Sequence, residues 1–440
     1  MVKIPAVFNI PKTMRAVVYR GVNDLRIETV PVPRISANEL LVKVAACGVC
    51  PTDIKKIQYG TVPPPRIFGH ETAGTIVRIG GGARVLASRF KIGDRVALHH
   101  HVPCMDCHFC RHRAFAQCAR YKQTGITAGF EPAGGGFAEY VRVMNFVLPG
   151  VVKIPARNSF EEGAMLEPVN TVLKAVKRLS ILRGDVVLVA GQGPVGLMFT
   201  RLLQLQGANV VATDLLESRL RLARKFGAKW ALKVSRSRRK EALTEKSEIR
   251  NPKSEMNWSL VTSSPTIPNP DAAIITVPSD EVVRQALQLV RGGGQVLLFA
   301  HTKKTEVRCQ MSEVGNRKSE VGSRKSEVGS RKSEVGSRKP DVRSRISEVR
   351  SQRSALRPLP SGLCPLDLAS VCLDEKDIIG SYSSDFTLQD EVARLVFSRR
   401  LDTRPLVTHR FPLVETANAV ALAAHPTSDS LKIMVHTDAK

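Results

Sequence analysis

The sequence contains no long hydrophobic run and no signal-like N-terminus. No stretch of eighteen consecutive apolar residues occurs in its 440 residues, whereas a transmembrane helix needs about twenty. The first residues, MVKIPAVFNIPKTMRAVVYRG, also lack the continuous apolar segment of a secretory signal peptide. We therefore expect a cytoplasmic protein with no membrane partner.

Cysteines are few as well. The chain has nine, too sparse for a disulfide scaffold in a protein of this size. Six of the nine lie between Cys47 and Cys118, several of them at ligand spacing. In a reducing compartment this clustering favours metal binding over disulfide bonds.

Basic residues are abundant, and the formal net charge of +26 raises the question of nucleic-acid binding. The excess is uneven, because residues 303–358 hold sixteen Lys and Arg against seven acids, and residues 233–256 hold eight against four. These two segments supply half of the net charge, and neither contains an aromatic residue that could stack on bases. We expect no nucleic-acid partner.

A seven-residue repeat occupies residues 312–339, where SEVGNRK is followed by three copies of SEVGSRK; KSEIRNPKSE at 246–255 is similar. The period suggests a coiled coil, but each unit has one apolar residue where a heptad needs two. A chain of this composition cannot bury a core. We predict two disordered inserts, at about 233–265 and 303–358, with a basic tether for RNA or acidic surfaces as the alternative.

A glycine-rich turn lies between an apolar run at 186–190 and an apolar helical stretch. Gly191-Gln-Gly193-Pro194-Val195-Gly196 has the spacing of a dinucleotide-binding turn in its strand–turn–helix context. Gly191 permits the tight turn, Gly193 lets the backbone approach a pyrophosphate, and Gly196 permits close packing of helix and strand. The helix that starts at Pro194 and Val195 directs its N-terminus at the phosphates. The alternative is a βαβ unit that binds no nucleotide.

Asp214 ends the next predicted strand, where its carboxylate can accept hydrogen bonds from the 2′,3′-diol of an adenosine ribose. The same charge repels a 2′-phosphate, so NAD is favoured over NADP. Arg219 lies close enough to weaken this preference without reversing it.

A second pattern combines a cysteine, a histidine and a carboxylate. Cys50 is followed by Thr52 and Asp53, and His70-Glu71 comes twenty residues later. A thiolate, an imidazole, a carboxylate and an open position form a catalytic zinc site. Thr52 could reach a zinc-bound alcohol, and Asp53 could orient the imidazole. Alone, His70 and Cys50 would be interpreted as buried core residues; a nucleotide fold in the same chain favours metal.

Four further cysteines, Cys104, Cys107, Cys110 and Cys118, have the spacing C-x2-C-x2-C-x7-C. Four thiolates complete a tetrahedral shell with no open position, so we predict a structural zinc here. An iron–sulfur cluster is the alternative, and it needs different spacing. Cys47 is predicted to be a packing residue, and the histidines at 99–101 to pack or to line the substrate site.

Together these motifs resemble the zinc-dependent medium-chain alcohol dehydrogenases, and within them the sorbitol and threonine dehydrogenase branch. GGGFAEY at 134–140 and MLEPVN at 165–170 continue the resemblance, which covers about residues 14–232, 271–302 and 366–437. It implies an α/β fold in which a GroES-like β-rich catalytic domain accompanies a Rossmann domain with a doubly wound parallel sheet. It also implies that Glu167 lies at the catalytic zinc, so that either Glu71 or Glu167 completes the ligand set.

The resemblance also implies the domain organisation. The catalytic domain spans 1–165 with the zinc lobe at 104–118, the Rossmann domain spans 166–382 with both inserts, and 383–440 completes the catalytic domain. A homo-oligomer, dimer or tetramer, is expected unless the 303–358 insert blocks it.

The expected reaction is hydride transfer from a secondary alcohol, polyol or sugar-like, to NAD. The alternatives are a threonine-type amino-alcohol dehydrogenase and a catalytically degenerate product. Pro51 stands where many alcohol dehydrogenases carry a proton-relay residue, and proline cannot serve as one.

Overall fold

The computed structural model describes residues 8–81, 89–99, 102–123, 134–237, 255–257, 267–300 and 368–437. All of them belong to one compact unit, formed by residues 1–302 and 367–440. Among these described residues, no helix is long and apolar enough to cross a membrane.

The β-rich part is built from the first eight strands and the last two. Their bounds are β1 Thr13–Gly21, β2 Asp24–Pro31, β3 Leu40–Gly48, β4 Arg66–Ile67, β5 Glu71–Ile79, β6 Arg95–Leu98, β7 Tyr140–Val143, β8 Val152–Lys153, β17 Val407–Pro412 and β18 Lys432–His436. One sheet has the order β2-β1-β4, and the larger sheet has the order β17-β18-β3-β5-β6-β8, with β7 also paired to β3. Apart from the parallel β17–β18 pair, every pairing is antiparallel. The predicted GroES-like β-rich domain is confirmed.

A six-stranded parallel sheet forms the second part, in the order β11-β10-β9-β14-β15-β16. Its strands are β9 Val186–Ala190, β10 Asn209–Asp214, β11 Trp230–Lys233, β14 Ala272–Ile275, β15 Gln295–Leu298 and β16 Asp377–Gly380. Side chains of β9 alternate between two apolar clusters, with Val187 and Val189 in one and Leu188 in the other. A strand buried on both faces is typical of a doubly wound sheet, so the predicted Rossmann fold is confirmed.

Helices cover both parts. Their bounds are α1 Pro51–Tyr59, α2 His108–Arg111, α3 Ala119–Gln123, α4 Phe160–Ala164, α5 Leu166–Val176, α6 Pro194–Leu205, α7 Glu217–Lys225, α8 Asp280–Leu289, α9 Leu368–Leu373, α10 Gln389–Phe397 and α11 Thr416–Ala424. Each cluster packed on β9 includes side chains of a helix, α6 in one and α8 in the other.

The predicted insert at 303–358, with its seven-residue repeat, lies outside the described residues. Of the insert predicted at about 233–265, residues 233–237 and 255–257 are described. Lys233 ends β11, and β12 Ser235–Ser237 pairs antiparallel with β13 Glu255–Asn257. The histidines at 100 and 101 also lie outside the described residues.

The chain passes from the β-rich part to the parallel sheet through α4 and α5. The carboxylate of Glu161 on this helix accepts hydrogen bonds from Arg410 on β17, at 2.6 Å from Nε and 2.8 Å from Nη2. His436 Nε2 on β18 lies 2.9 Å from the same carboxylate. Burial alone would raise the pKa of Glu161, but His436 and Arg410 outweigh it and lower that pKa to about 2.

We expect Glu161→Gln to lower the free energy of unfolding by about 1 kcal/mol at pH 7, a value reduced by solvent screening at the half-exposed Arg410. A carboxyl group with a lowered folded-state pKa stabilises the protein above its ordinary pKa of 4.5 and loses this effect as the pH falls toward about 2. The difference from wild type, measured by denaturant unfolding, should therefore shrink between pH 4.5 and pH 2. Glu391→Gln, which removes an exposed pair with Lys177, is the control; an equal effect there would contradict the prediction.

Candidate active site and zinc centres

Cys50 lies at the junction between a buried strand and a helix. β3 ends at Gly48, and Cys50 is the N-cap of α1, with Pro51 as the first helical residue. Proline suits this position, since its missing N–H would have no partner in the helix. The backbone N–H groups of Asp53 and Ile54 donate to the Cys50 carbonyl. The first turn of the helix therefore holds the backbone of Cys50 in place. Thr52 is half-buried in the first turn.

His70 is held by Asp53. Its Nδ1 lies 3.1 Å from Asp53 Oδ1, and both side chains are buried. Because a carboxylate only accepts, Nδ1 carries the proton and Nε2 remains as the ligand nitrogen. Burial opposes the protonated imidazole, but the Asp53 carboxylate and the Cys50 sulfur outweigh it and raise the pKa of His70.

Three of the predicted ligands converge. One ligand atom from each of Cys50, His70 and Glu71 lies within 4.8 Å of the other two. The donor set of sulfur, imidazole nitrogen and carboxylate oxygen suits zinc and leaves a fourth position of a tetrahedron open. The residues therefore fit a catalytic zinc.

Glu167 lies outside this group of three, although its carboxyl group is buried nearby on the first turn of α5. Burial raises the pKa of Glu167 to about 7; His70 lowers it, and the Glu71 carboxylate raises it further. Glu167 thus belongs to the same electrostatic environment, and its carboxyl group can exchange a proton near neutral pH.

Glu71 has a cationic partner that no motif indicated. Lys432 at the start of β18 forms an ion pair with Glu71 Oε2, and both side chains are buried. Burial opposes the charged form of Lys432, but Glu71, Cys50 and Glu167 outweigh it and raise the pKa of the lysine. The available signal was a single lysine in an otherwise apolar strand, Leu431 to Val435.

Tyr382 was missed as well. It follows β16 at the carboxyl edge of the parallel sheet, and Lys174 Nζ donates to its carbonyl at 2.9 Å. Although Tyr382 is 56% exposed, desolvation of its phenol raises the pKa, which His70 lowers and the charges of Cys50 and Glu167 raise. The hydrogen bond from Lys174 places the carboxyl edge of the sheet beside α5, the helix that carries Glu167.

The four-cysteine lobe is formed as predicted. One sulfur from each of Cys104, Cys107, Cys110 and Cys118 lies within 4.8 Å of the other three. The Sγ atom of Cys110 is 3.8 Å from that of Cys104 and 3.5 Å from that of Cys107. Sulfurs at about 2.3 Å from one tetrahedral zinc would be roughly 3.8 Å apart, so the lobe fits a closed zinc site.

Backbone donors surround the lobe. Cys104 Sγ accepts from the Cys107 N–H at 3.4 Å, and Cys118 Sγ accepts from the Cys104 N–H at the same distance. Hydrogen bonds from the backbone of Asp106 and Cys107 lower the pKa of Cys104 to about 6. These donors stabilise thiolates and therefore favour metal binding.

The lobe is also connected to the segment that follows β16. The hydroxyl of Tyr121 on α3 contacts Ser383 Oγ.

The glycine turn follows β9 as predicted. Gly191 has φ of +93°, and a Cβ there would come within 2.7 Å of Thr276 Oγ1. A Cβ at Gly196 would overlap the Gly191 carbonyl, whereas Gly193 faces open space. Pro194 begins α6, and Val195 packs against the core beside β9. The open space at the helix N-terminus fits a phosphate group.

Asp214 ends β10 and is buried beside this turn. Its Oδ2 accepts from the Gln192 N–H at 2.7 Å, and its Oδ1 accepts from the Leu216 N–H at 2.9 Å. A carboxylate has about four acceptor positions, so two remain for a ribose diol. Arg219 Nη1 lies 3.8 Å from Oδ2, so the two side chains form an ion pair.

Comparison with known proteins gives the family. The alcohol dehydrogenase GroES-like domain profile matches residues 36–156, and the zinc-binding dehydrogenase profile matches 194–334. A sorbitol dehydrogenase of Bacillus subtilis (strain 168) is 30% identical over 305 residues, which cover 68% of this chain and 78% of that protein. The chain belongs to the zinc-containing medium-chain alcohol dehydrogenase family. It is a zinc-dependent alcohol dehydrogenase, an oxidoreductase acting on CH–OH groups.

Solved structures agree with the fold of this family. A zinc-binding dehydrogenase from Sinorhizobium meliloti 1021 bound to NADP has a TM-score of 0.69 at 22% identity, over 97% of this chain and 100% of that one. Acetophenone reductase from Geotrichum candidum NBRC 4597 in complex with NAD has a TM-score of 0.67 at 21% identity, over 98% of each chain. At these identities the likeness shows the fold alone.

Cys47 and Cys50 provide a matched pair for testing the alcohol dehydrogenase site. Cys47 lies three residues earlier, is fully buried with its sulfur 3.5 Å from Thr72 Oγ1, and is not one of the clustered ligands. Burial raises the pKa of its thiol to about 12, which disfavours the thiolate that binds zinc.

We expect Cys50→Ala to reduce bound zinc from two ions per chain to one, because the lobe keeps its own ion. Cys47→Ala should keep both ions, and Cys110→Ala should lose the lobe ion. Metal content measured by atomic emission on folded protein decides this. Loss of zinc from Cys47→Ala, or two ions in Cys50→Ala, would contradict the assignment.

Proposed function

We propose that this alcohol dehydrogenase oxidises a secondary alcohol of the polyol or sugar class with NAD as the hydride acceptor. The observation that carries the proposal is the Cys50–His70–Glu71 group, whose donor set fits a catalytic zinc. Lys174 on α5, the helix that carries Glu167, donates to the Tyr382 carbonyl at the carboxyl edge of the parallel sheet. The glycine turn leaves the same edge, where open α/β sheets bind their ligands. On this proposal the metal ligands and the nucleotide turn would face a common substrate space.

Cys50 and His70 would hold the catalytic zinc, with Glu71 or Glu167 completing the protein ligands. Zinc, when bound, supplies a Lewis acid that lowers the pKa of the substrate hydroxyl and favours hydride transfer to NAD. Asp53 keeps the His70 ring in its ligand orientation. Thr52, two residues from Cys50, would relay the hydroxyl proton, with its Oγ accepting that proton while its own hydroxyl proton is donated toward the ribose or solvent.

Where Glu71 supplies the third zinc ligand, the carboxyl group of Glu167 stays unligated in the same site. Burial raises its pKa to about 7, so it can then hold or release a proton at neutral pH. Pro51 has neither an N–H nor a polar side chain, so it takes no part in the relay. Cys104, Cys107, Cys110 and Cys118 would hold the structural zinc.

The cofactor would be NAD rather than NADP. Gly191, Gly193, Pro194, Val195 and Gly196 would receive the pyrophosphate, because Gly193 faces open space at the start of α6. The ribose diol would bind the remaining acceptor positions of Asp214, whose charge opposes a 2′-phosphate. Arg219 would moderate this opposition through its ion pair with Asp214.

The polyol class is supported by the sorbitol dehydrogenase relative.

We also propose the predicted domain division, in which residues 1–165 and 383–440 form the catalytic domain and residues 166–382 form the cofactor domain. The pairing of β18 with β3 supports it, since it joins the C-terminal segment to the β-rich part. A homo-oligomer is proposed as well, and β16, an exposed strand at one end of the parallel sheet, supports it.

The reaction is tested by NAD reduction with a panel of polyols, threonine and simple secondary alcohols, with zinc content measured on the same preparation. We expect about two zincs per chain and the highest kcat/KM with a polyol. If threonine gave the highest activity, the substrate would be an amino alcohol and the proposed polyol class would be wrong. A single zinc with no turnover would overturn the proposed reaction in favour of a catalytically degenerate product.

Cofactor choice is tested with Asp214→Ala. Loss of a charged acceptor to the ribose diol should lower kcat/KM for NAD by about 10–100-fold, while kcat/KM for NADP should fall less or rise because the repulsion is removed. Steady-state kinetics with both cofactors measure the ratio. Glu217→Gln removes an exposed carboxylate three residues away and should leave the ratio unchanged; a changed ratio there, or none in Asp214→Ala, would contradict the role of Asp214.

A further inference from the structure

Lys432 is a buried cation in direct contact with a candidate zinc ligand. Its side chain is 7% exposed, and its Nζ pairs with Oε2 of Glu71, whose side chain is 2% exposed. The same ammonium donates to the Val49 carbonyl at 2.9 Å. Lysine is almost never buried without a partner, so these two contacts define where the ammonium lies.

Strand register brings Lys432 to this place. On one side of β3, Gly48 lies opposite Met434 of β18; on the other side, Gly48 lies opposite Glu71 at the start of β5. A Cβ at position 48 would overlap Glu71 Oε2 and come within 2.9 Å of Lys432 Cε. The glycine therefore leaves the space in which the two side chains meet across the strand.

The charges explain why a cation is needed here. Glu71 and Glu167 are both buried, and the carboxylate of Glu71 raises the pKa of Glu167. Without Lys432, the Glu71 carboxylate would face a second carboxyl group and the Cys50 sulfur with no cation fixed beside it. A carboxylate that lacks a partner can rotate away from its neighbours, and its ligand oxygen would then leave the group of three.

We propose that Lys432 is a positioning residue for the catalytic zinc: its ammonium fixes the Glu71 carboxylate in the orientation that faces Cys50 and His70. The inference rests on the proposed function, which places zinc at these residues. Partners that hold a metal ligand in place typically contribute 10–100-fold to metal affinity or activity.

Zinc affinity of the catalytic site tests this without turnover. Competition with a chromogenic chelator at constant pH should show that Lys432→Met weakens the catalytic zinc by about 10–100-fold and leaves the four-cysteine zinc unchanged. Lys432→Arg, which keeps the positive charge, should bind zinc within a few-fold of wild type. The visible spectrum of the cobalt-substituted site should change in Lys432→Met and be restored in Lys432→Arg.

A double-mutant cycle separates positioning from general stabilisation. In a Glu71→Gln background, Lys432→Met should cause no further loss of zinc affinity, since the residue acts through Glu71. Lys432→Gln, which can still donate to Val49 without a charge, replaces Lys432→Met in the cycle if the methionine variant does not fold.

Two results would overturn the inference: wild-type zinc affinity with an unchanged cobalt spectrum in the uncharged variants, or an equal loss with and without the Glu71 carboxylate. A wild-type protein that binds one zinc per chain would instead overturn the proposed function, and the inference with it.

Discussion

The structure depends on the compensation of charges that are buried together. Asp53, His70, Glu71, Glu167 and Lys432 are all nearly inaccessible to water, and an unpaired buried charge costs several kcal/mol. Each has an opposite charge nearby: Asp53 pairs with His70, and Lys432 pairs with Glu71. A zinc ion would neutralise the remaining negative charge of the Cys50 thiolate, so metal and folded site stabilise one another.

The partners in this site come from distant parts of the chain. Cys50 follows β3, Glu71 begins β5, Glu167 is on α5, and Lys432 begins β18 close to the last described residue. Only the register of β18, β3 and β5 brings the lysine and Glu71 together. A shift by one residue would turn Lys432 to the opposite face of its strand. The register therefore positions the charge pair, and a shift would separate the two charges.

Local motifs could be predicted from the sequence because their chemistry depends on short spacing. The four cysteines occupy one lobe, and the glycine turn is one strand–helix junction, so neighbouring residues suffice to recognise each. The pair of Cys50 with His70 spans twenty residues, yet the two residue types together indicated a metal. The predicted choice between Glu71 and Glu167 stayed open, since both carboxyl groups are buried near His70.

Lys432 and Tyr382 could not be placed from the sequence for a physical reason. Each acts through long-range packing, one through strand pairing across β3 and the other through the carboxyl edge of a sheet. A single lysine in an apolar strand indicates a buried partner, but not which carboxylate supplies it. Contacts of this kind depend on which distant strands pair with one another, and a short stretch of sequence does not indicate that pairing.

The two predicted inserts lie at positions where this topology already has connections between its strands. One follows β11 and the other lies between β15 and β16, whose parallel pairing runs from Gln295 opposite Asp377 to Leu298 opposite Gly380. Parallel neighbours need a crossover of a dozen or more residues in any case, so the fold already contains a connection at this point. Doubling the length of such a connection costs only about 0.6 kcal/mol. The site residues belong to strands and helices on either side of these connections. The contacts between their opposite charges do not depend on how many residues the connections contain.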